Sequence, residues 1–260
     1  IHSLIAFTVC FLPIFFGFIL PFLILLNLGY GNLELWINAD LISAIKNTLM
    51  VSGLAALITV TLALLMVYGI RLSGKKLPLL VLPLTTIGYA APGAVLGIGI
   101  LVPLAFFDNW LADRFFDLTG YDPGLIFTGT AFAIVLAYSV RFFSIAQQTV
   151  DGALGRVSPS LPNAARSLGR NKLQVLWDIY RPLISTSTAT AILLVFVDCV
   201  KELPATMLLR PFNFETLATR VHVQASLEDL PNAAPGAILI VLIGLCAVFL
   251  LARVNKQIPH

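Results

Sequence analysis

The chain has 260 residues, of which 58% are hydrophobic and 11% are charged, and its formal net charge is +3 at pH 7. A soluble domain carries about 25% charged residues, so this composition excludes an ordinary water-soluble globular protein. It indicates an integral membrane protein, for which lipid is the natural solvent.

Apolar runs long enough to cross a bilayer occur six times. A hydrocarbon core of about 30 Å needs about 20 apolar residues in a helix, and nothing alternates over about ten residues as the strands of a β-barrel would. The first run is too long for the core of a signal peptide, and the fifth is the least pure. The sequence predicts an all-α integral membrane protein, with a bundle of six transmembrane helices in one domain over 1–260 and spans at 4–28, 42–70, 77–107, 125–145, 183–203 and 235–251.

The segments between these runs differ in charge. Lys and Arg predominate in 71–76, 147–181 and 253–260, whereas Asp and Glu predominate in the alternate segments. Basic segments near span ends stay in the cytoplasm because they resist translocation. With six spans, all the basic segments fall on one side, so we predict that both termini are cytoplasmic.

The third run, 77–107, contains residues that interrupt a regular helix, among them Pro92, Gly93, Gly97 and Pro103. Proline removes a backbone donor, and glycine allows two backbones to approach closely. Two interpretations stay open. One is helix packing through Gly93 and Gly97, and the other is a helix broken beside a translocation path.

Ionisable residues cluster near the end of the fifth run, where Asp198, Lys201 and Glu202 precede Pro204. On a helix, Lys201 lies close enough to neutralise either carboxylate, and charges at membrane depth usually pair. These four residues are the candidates for the translocation path, as an ion-pair cluster that fixes the helix or as a charged lining. Arg141, near the inner end of the fourth run, is interpreted as an anchor whose charge reaches the membrane interface.

The cytoplasmic segment 151–182 predicts two short helices that meet at a glycine. Hydroxyls and prolines in 158–162 are typical of a helix start, so a helix is expected over 163–168 and Gly169 ends it. The next helix is expected to stop near Pro182. Three basic residues make this segment a cationic knob: Arg166, Arg170 and Lys172. An amphipathic helix that lies on anionic lipid fits the same pattern nearly as well.

Neither a metal site nor a nucleotide site can be assigned. The three histidines are far apart and lack ligand spacing, the three cysteines are scattered through apolar runs, and no glycine-rich loop ends in Lys-Ser or Lys-Thr. The chain is therefore not predicted to be an enzyme or to bind a cofactor itself.

The segment 151–182 resembles a motif of ABC import permeases: Glu-Ala-Ala, three residues, Gly, nine residues, Ile, one residue, Leu-Pro. At that spacing the chain has Asn163-Ala164-Ala165, Gly169, Ile179 and Arg181-Pro182. It departs from the motif at Asn163 and Arg181. The resemblance implies a coupling helix that docks into a groove of the ATPase, with these residues at the contact: Asn163, Ala164, Ala165, Arg166, Gly169 and Arg170.

Residues 193–222 resemble ferric-iron import permeases, which share the patterns Lys-Glu-Leu-Pro-Ala-Thr, Leu-Leu-Arg-Pro-Phe and Thr-Leu-Ala-Thr found here. The resemblance implies Fe³⁺ import across the bacterial inner membrane by alternating access. Members of that family usually carry two such halves in one chain, and the pattern predicts the C-terminal half.

The partners implied are a cytoplasmic ABC ATPase dimer that binds ATP and Mg²⁺, a periplasmic ferric-iron-binding protein, a second permease half or copy, and membrane lipid, with no nucleic acid. Two alternatives stay open. The solute could be thiamine, a phosphonate or a polyamine, or the protein could be an ion-coupled secondary transporter, which should show an inverted repeat and paired helix breaks.

Overall fold

The computed structural model describes residues 2–73, 82–158 and 160–255, and this part of the chain is helical without strands. Six of its helices are long and apolar enough to cross a membrane. They are Ala6–Gly31, Ala39–Arg71, Gly93–Thr119, Ala131–Gly155, Lys172–Val200 and Leu230–Arg253. The chain forms two compact units: Ile1–Thr48 with Phe214–Leu245, and Leu49–Asn213 with Cys246–His260.

In the first unit, the first span consists of α1 (His2–Ile14), a π-turn at Phe15–Ile19, and α2 (Leu20–Gly31). The π-turn lies between Pro13 and Pro21. Its wider helical turn accommodates the backbone N–H that a proline lacks. α2 ends where the indole of Trp36 donates a hydrogen bond of 3.0 Å to the carbonyl of Gly29. A Cβ on Gly29 would lie 3.0 Å from Ile238, so the end of α2 approaches α12 (Leu230–Asn255) closely at this residue.

The first unit also holds α11 (Leu217–Ser226), which lies inside the segment 204–234, where the charge pattern predicts a loop. Thr216 and Thr219 form a capping box at its start. The hydroxyl of Thr48, near the N-terminus of α3 (Ala39–Ser73), accepts a 2.8 Å hydrogen bond from the N–H of Leu217. Buried Leu217 packs with Leu41 of α3, so α11 is held by a small core of its own.

In the second unit, α3 packs with α6 (Ala131–Gly155) and α9 (Arg181–Val200). Their core includes Val67, Val150, Leu154 and Ile184, all fully or almost fully buried. Small residues line the inner face of α6, and such residues let membrane helices approach closely.

The third predicted span, 77–107, differs from the structure at both ends. Residues 77–81 lie outside the described part of the chain, and a 3₁₀ turn at Leu82–Thr86 leads into the short helix α4 (Ile87–Ala90). The backbone is extended at Ala91 and Pro92 before α5 (Gly93–Thr119) begins. The third run is therefore a broken helix.

The fourth predicted span, 125–145, begins too early because a buried carboxylate orders the segment before it. Asp108 on α5 accepts hydrogen bonds from the backbone N–H groups of Ile126, Phe127 and Thr128. These donors are used outside a helix, and α6 begins only at Ala131. Asp108 therefore lies buried inside a helix, although the charge pattern predicts a loop there.

Candidate functional site

The segment predicted as a coupling helix contains α7 (Ser160–Ser167), which ends at a glycine in the left-handed conformation. Gly169 has φ of +84°. Its N–H donates to the carbonyl of Arg166 over 2.9 Å, and the N–H of Arg170 donates to the carbonyl of Ala165 over 3.1 Å. These two bonds make a Schellman motif. The prediction that Gly169 ends the first helix is confirmed.

After this turn the chain enters a second helix that continues into the membrane. Asn171 and Gln174 form a capping box, with bonds of 2.8 and 2.9 Å, at the start of α8 (Lys172–Val175). A π-turn at Leu176–Tyr180 then joins α8 to α9.

The predicted helix stop near Pro182 is wrong, because the helix runs through this residue. In the π-turn the N–H of Arg181 bonds to the carbonyl of Leu176, five residues earlier. Pro182 therefore falls in the first turn after the π-turn, where its missing N–H is tolerated.

The end of α3 holds this segment in place. The hydroxyl of Tyr68 donates a 2.6 Å hydrogen bond to the carbonyl of Lys172, and its ring meets that of Tyr180 edge-on at 5.5 Å. Nearby, Arg71 pairs with Asp151 at 2.7 Å. Tyr68 of α3 thus supports the helix–glycine–helix unit, and the Arg71–Asp151 pair joins α3 to α6 beside it.

One face of α7 is apolar and is left uncovered by the described part of the chain. Leu161, Ala164 and Leu168 are exposed, the last by 85%, and their spacing puts them on the same side of a helix. Pro162 and Ala165 are buried against the rest of the unit. The two predicted alanines thus differ, because only Ala164 is available to a partner.

The predicted polar contacts of the segment lie beside this face. Asn163 and Arg166 line a pocket of about 270 Å³ with Tyr68, Arg71 and Tyr180. Arg170 pairs with Asp178 at 3.3 Å, and both side chains are about half exposed. The knob is therefore less cationic than its sequence indicates.

The predicted translocation-path residues separate into two ion pairs. Asp198 pairs with Lys201 at 2.8 Å, and Lys201 is 63% exposed. Glu202 does not pair with Lys201, which the sequence analysis offered as a counter-ion for either carboxylate. α9 ends at Val200, and the turn that follows directs Glu202 towards α6.

Glu202 pairs instead with Arg141, with 3.1 Å between Oε2 and Nε. The Nε hydrogen is not directed at the carboxylate, so the contact is an ion pair rather than an aligned hydrogen bond. Arg141 also donates a 3.1 Å bond to the carbonyl of Ala91, at the break before α5. The interpretation of Arg141 as an interfacial anchor is therefore wrong, because its charge is held inside the unit by a carboxylate.

Pro204 begins α10 (Pro204–Leu209), and its neighbours surround the same ion pair. The backbone N–H of Ala205 donates to Glu202 Oε1 over 3.3 Å. The hydroxyls of Tyr138 and Thr206 lie 2.6 Å apart next to it. Of the four predicted path residues, Glu202 is buried in this cluster and Pro204 lies next to it but is exposed, while Asp198 and Lys201 form the more exposed ion pair.

The glycines of the third run pack against this cluster. A Cβ on Gly93 would lie 2.7 Å from Glu202 Oε1 and 3.0 Å from Arg141, and one on Gly97 would lie 3.1 Å from Leu208. Both interpretations of the run therefore hold in part. The helix is broken at Pro92, and the new helix starts with glycines that permit close packing.

A hydroxyl-lined groove that the sequence analysis missed lies between α6 and α9. It has a volume of about 330 Å³, and Arg156 donates a 2.9 Å bond to Ser187 across it. The signal in the sequence is the hydroxyl-rich stretch 185–190, which is unusual inside an apolar run. The other residues lining the groove are Gln148, Thr149, Gly152, Thr186 and Thr190.

No group of three His, Cys, Asp or Glu side chains that could hold a metal ion occurs within 2–73, 82–158 and 160–255.

Curated proteins similar to this chain are transport permeases. The chain is 30% identical over 215 residues to the Fe(3+)-transport system permease protein FbpB 2 of Haemophilus influenzae, covering 83% of this chain and 39% of that protein. It is 25% identical to the ferric transport system permease protein FbpB of Actinobacillus pleuropneumoniae, over 75% of this chain and 28% of that protein. The chain thus spans less than half the length of these two relatives.

Another relative carries a different substrate in its name. The chain is 28% identical over 172 residues to the putative 2-aminoethylphosphonate transport system permease protein PhnV of Salmonella typhimurium, covering 65% of this chain and 58% of that protein.

A solved structure has the same fold. A chain of a bacterial alginate ABC transporter, in complex with an alginate-bound periplasmic protein, aligns over 98% of this chain and 96% of its own length. The TM-score is 0.71 at 19% identity, so the likeness establishes a shared fold.

The match to a family model identifies the chain. Residues 59–259 match the binding-protein-dependent transport system inner membrane component, and the described part of the chain contains six helices long and apolar enough to span a membrane. This chain therefore belongs to the inner-membrane permease family of binding-protein-dependent ABC importers.

Proposed function

We propose that this chain is one six-helix half of an ATP-driven importer that moves Fe³⁺ from a periplasmic binding protein into the cytoplasm. The two ferric-type relatives support the substrate, and they match most of this chain. A second half, fused or separate, would complete the pathway. ATP and Mg²⁺ would bind to the partner ATPase and not to this chain.

The observation that carries the ATPase partnership is the exposed apolar face of α7, set at a fixed angle by Gly169. Leu161, Ala164 and Leu168 are exposed in the described part of the chain, and an amphipathic helix of this kind fits a hydrophobic groove. The orientation that follows from the basic segments places this face in the cytoplasm, with both termini on the same side.

The helix that follows could carry movement from the ATPase into the membrane. Lys172–Val200 is one continuous helix of 29 residues, which at about 1.5 Å per residue extends for over 40 Å. It starts beside the docking face and ends at the Asp198–Lys201 pair. A displacement of α7 would therefore be transmitted along α9 to the other side of the membrane and change the access of the path.

The charged cluster supports a structural role in this mechanism more than a ligand role. Glu202 is neutralised by Arg141 and Asp198 by Lys201, and a hard cation such as Fe³⁺ prefers free oxygen ligands. We therefore propose that these pairs fix the ends of α5, α9 and α10 and that the hydroxyl-lined groove between α6 and α9 belongs to the path.

Uptake into proteoliposomes tests the function. The full permease and its ATPase are reconstituted with the binding protein outside and ATP inside, and ⁵⁵Fe³⁺ and labelled 2-aminoethylphosphonate are offered in parallel, each with its own binding protein. We expect ATP-dependent uptake of iron alone.

Uptake of the phosphonate alone would overturn the substrate but leave the importer intact, and the phosphonate relatives make it the second candidate. Uptake that persists without an ATPase would overturn the importer mechanism itself.

A further inference from the structure

An apolar groove of about 530 Å³ runs along the second unit between α3, the π-turn at Leu176–Tyr180 and α9. Its walls include Leu64 and Leu65 from α3 and Ile184, Thr188 and Ile192 from α9. The groove lies on a different side of α9 from the hydroxyl-lined groove, because Ile184 and Thr188 belong to one helix face and Thr186 and Thr190 to another.

Arg181 lies at the mouth of this groove and makes no ion pair within the described residues. It is exposed, and its guanidinium lies 4.9 Å from the ring centroid of Trp177. The acidic residue next in sequence to Trp177, Asp178, is engaged by Arg170. Arg181 is also one of the two positions at which the chain departs from the import-permease motif, which has leucine there.

The groove has the position and depth of one membrane leaflet. Arg181 opens α9, which carries no further charged residue before Asp198 near its other end, so Arg181 and Trp177 lie where the helix passes from water into hydrocarbon. Arginine and tryptophan are typical of that boundary. From Arg181 to Ile192 the helix advances about 16 Å, which is about half of the 30 Å hydrocarbon core.

We propose that this groove binds one anionic phospholipid, with an acyl chain along α3 and α9 and the phosphate on Arg181. A guanidinium binds phosphate oxygens in a bidentate arrangement. A lipid with net negative charge neutralises Arg181, whereas a zwitterionic lipid also brings an ammonium group close to it. A helix of another permease copy would bury the charge of Arg181 without a counter-ion unless that helix supplied a carboxylate. The charge of Arg181 therefore favours the lipid.

Binding of defined lipids to the full permease tests the site. The permease is purified with its own lipids removed and then titrated with palmitoyl-oleoyl phosphatidylglycerol or the matching phosphatidylcholine, and bound lipids are counted by native mass spectrometry. We expect one tight site with about a fivefold preference for phosphatidylglycerol, the effect of one basic side chain at an anionic surface.

Three variants locate the site. Arg181→Gln should abolish the preference, Ala189→Phe should fill the groove and remove the tight site for both lipids, and Arg253→Gln should change neither. Arg253 is the control because it is an exposed arginine in the last turn of another membrane helix, α12, and does not line the groove.

Equal binding of the two lipids by the unchanged permease would overturn the proposal. So would an undiminished preference in Arg181→Gln, or the absence of a tight site in the assembled permease. Because the measurement is lipid binding, its failure is distinguishable from a failure of iron transport.

Discussion

Glu202 and Arg141 form an ion pair inside the second unit, with Oε2 and Nε 3.1 Å apart and side chains exposed by only 7% and 18%. The pair joins the end of α9 to the middle of α6, and through Arg141 it also holds the carbonyl of Ala91 at the helix break. Three segments thus meet at one buried salt bridge.

Removing one member of this pair should destabilise the permease strongly. We expect Arg141→Gln to cost about 3–5 kcal/mol, because Glu202 is left as an uncompensated buried charge. The double variant Arg141→Gln with Glu202→Gln should recover much of that loss. Thermal unfolding in detergent measures the stability of the single variant and of the double variant. Lys201→Gln is the control, since its pair is exposed and worth about 0–1 kcal/mol. Equal losses for Arg141→Gln and Lys201→Gln would contradict a buried pair.

Gly93 should tolerate no side chain, because its Cβ would lie 2.7 Å from Glu202 Oε1. We expect Gly93→Ala to lower stability by about 1–3 kcal/mol, as overpacking does. Gly99→Ala, in the same helix with open space around it, should be neutral or slightly stabilising. The comparison of the two melting temperatures checks this. A neutral Gly93→Ala would show that α5 does not approach the ion pair.

Gly169 should be required for its left-handed backbone conformation and not for close packing. A Cβ on Gly169 or on Gly53 of α3 would meet no atom within 4 Å, but Gly169 has a positive φ and Gly53 does not. We expect Gly169→Ala to cost about 1–2 kcal/mol locally and to reduce ATP-dependent uptake, while Gly53→Ala leaves uptake unchanged. Uptake assays with both variants provide the measurement, and full activity of Gly169→Ala would remove the Schellman turn from the mechanism.

Asp108 should hold the loop before α6 through its charge. Asp108→Ala removes an acceptor used by Ile126, Phe127 and Thr128, and bonds to charged groups are each worth about 1.5–3 kcal/mol. We expect a lower melting temperature and faster hydrogen exchange at residues 126–128. Asp113→Ala, an exposed acid on the same helix, is the control. Unchanged exchange in Asp108→Ala would contradict this role.

The parts of the fold that sequence predicts are those set by local chemistry. The number of spans follows from the length of apolar runs, and the end of α7 follows from the freedom of Gly169 to adopt a left-handed conformation. The boundaries fail where a tertiary contact overrides the local pattern. Asp108 captures the backbone before α6, and a π-turn carries the helix through Pro182.

The site was predictable to a similar extent. The two short helices that meet at Gly169 follow from the motif, but the exposed apolar face formed with Leu161 and Leu168 was not among the predicted contacts. The partner of Glu202 could not be found from spacing. Arg141 is distant in sequence and lies on another helix, and helical periodicity relates only residues within a few turns. Lys201, one residue away, was the nearer but wrong candidate.

Docking of α7 onto the ATPase is central to the proposed mechanism, and site-specific photo-cross-linking tests it most directly. A benzophenone amino acid is placed at Leu168 or at Leu118, both exposed by 85%, in the permease assembled with its ATPase. We expect Leu168 to give a cross-link to the ATPase and Leu118, near the end of α5, to give none. A cross-link from Leu118 but not from Leu168 would contradict the assignment of α7 as the docking helix.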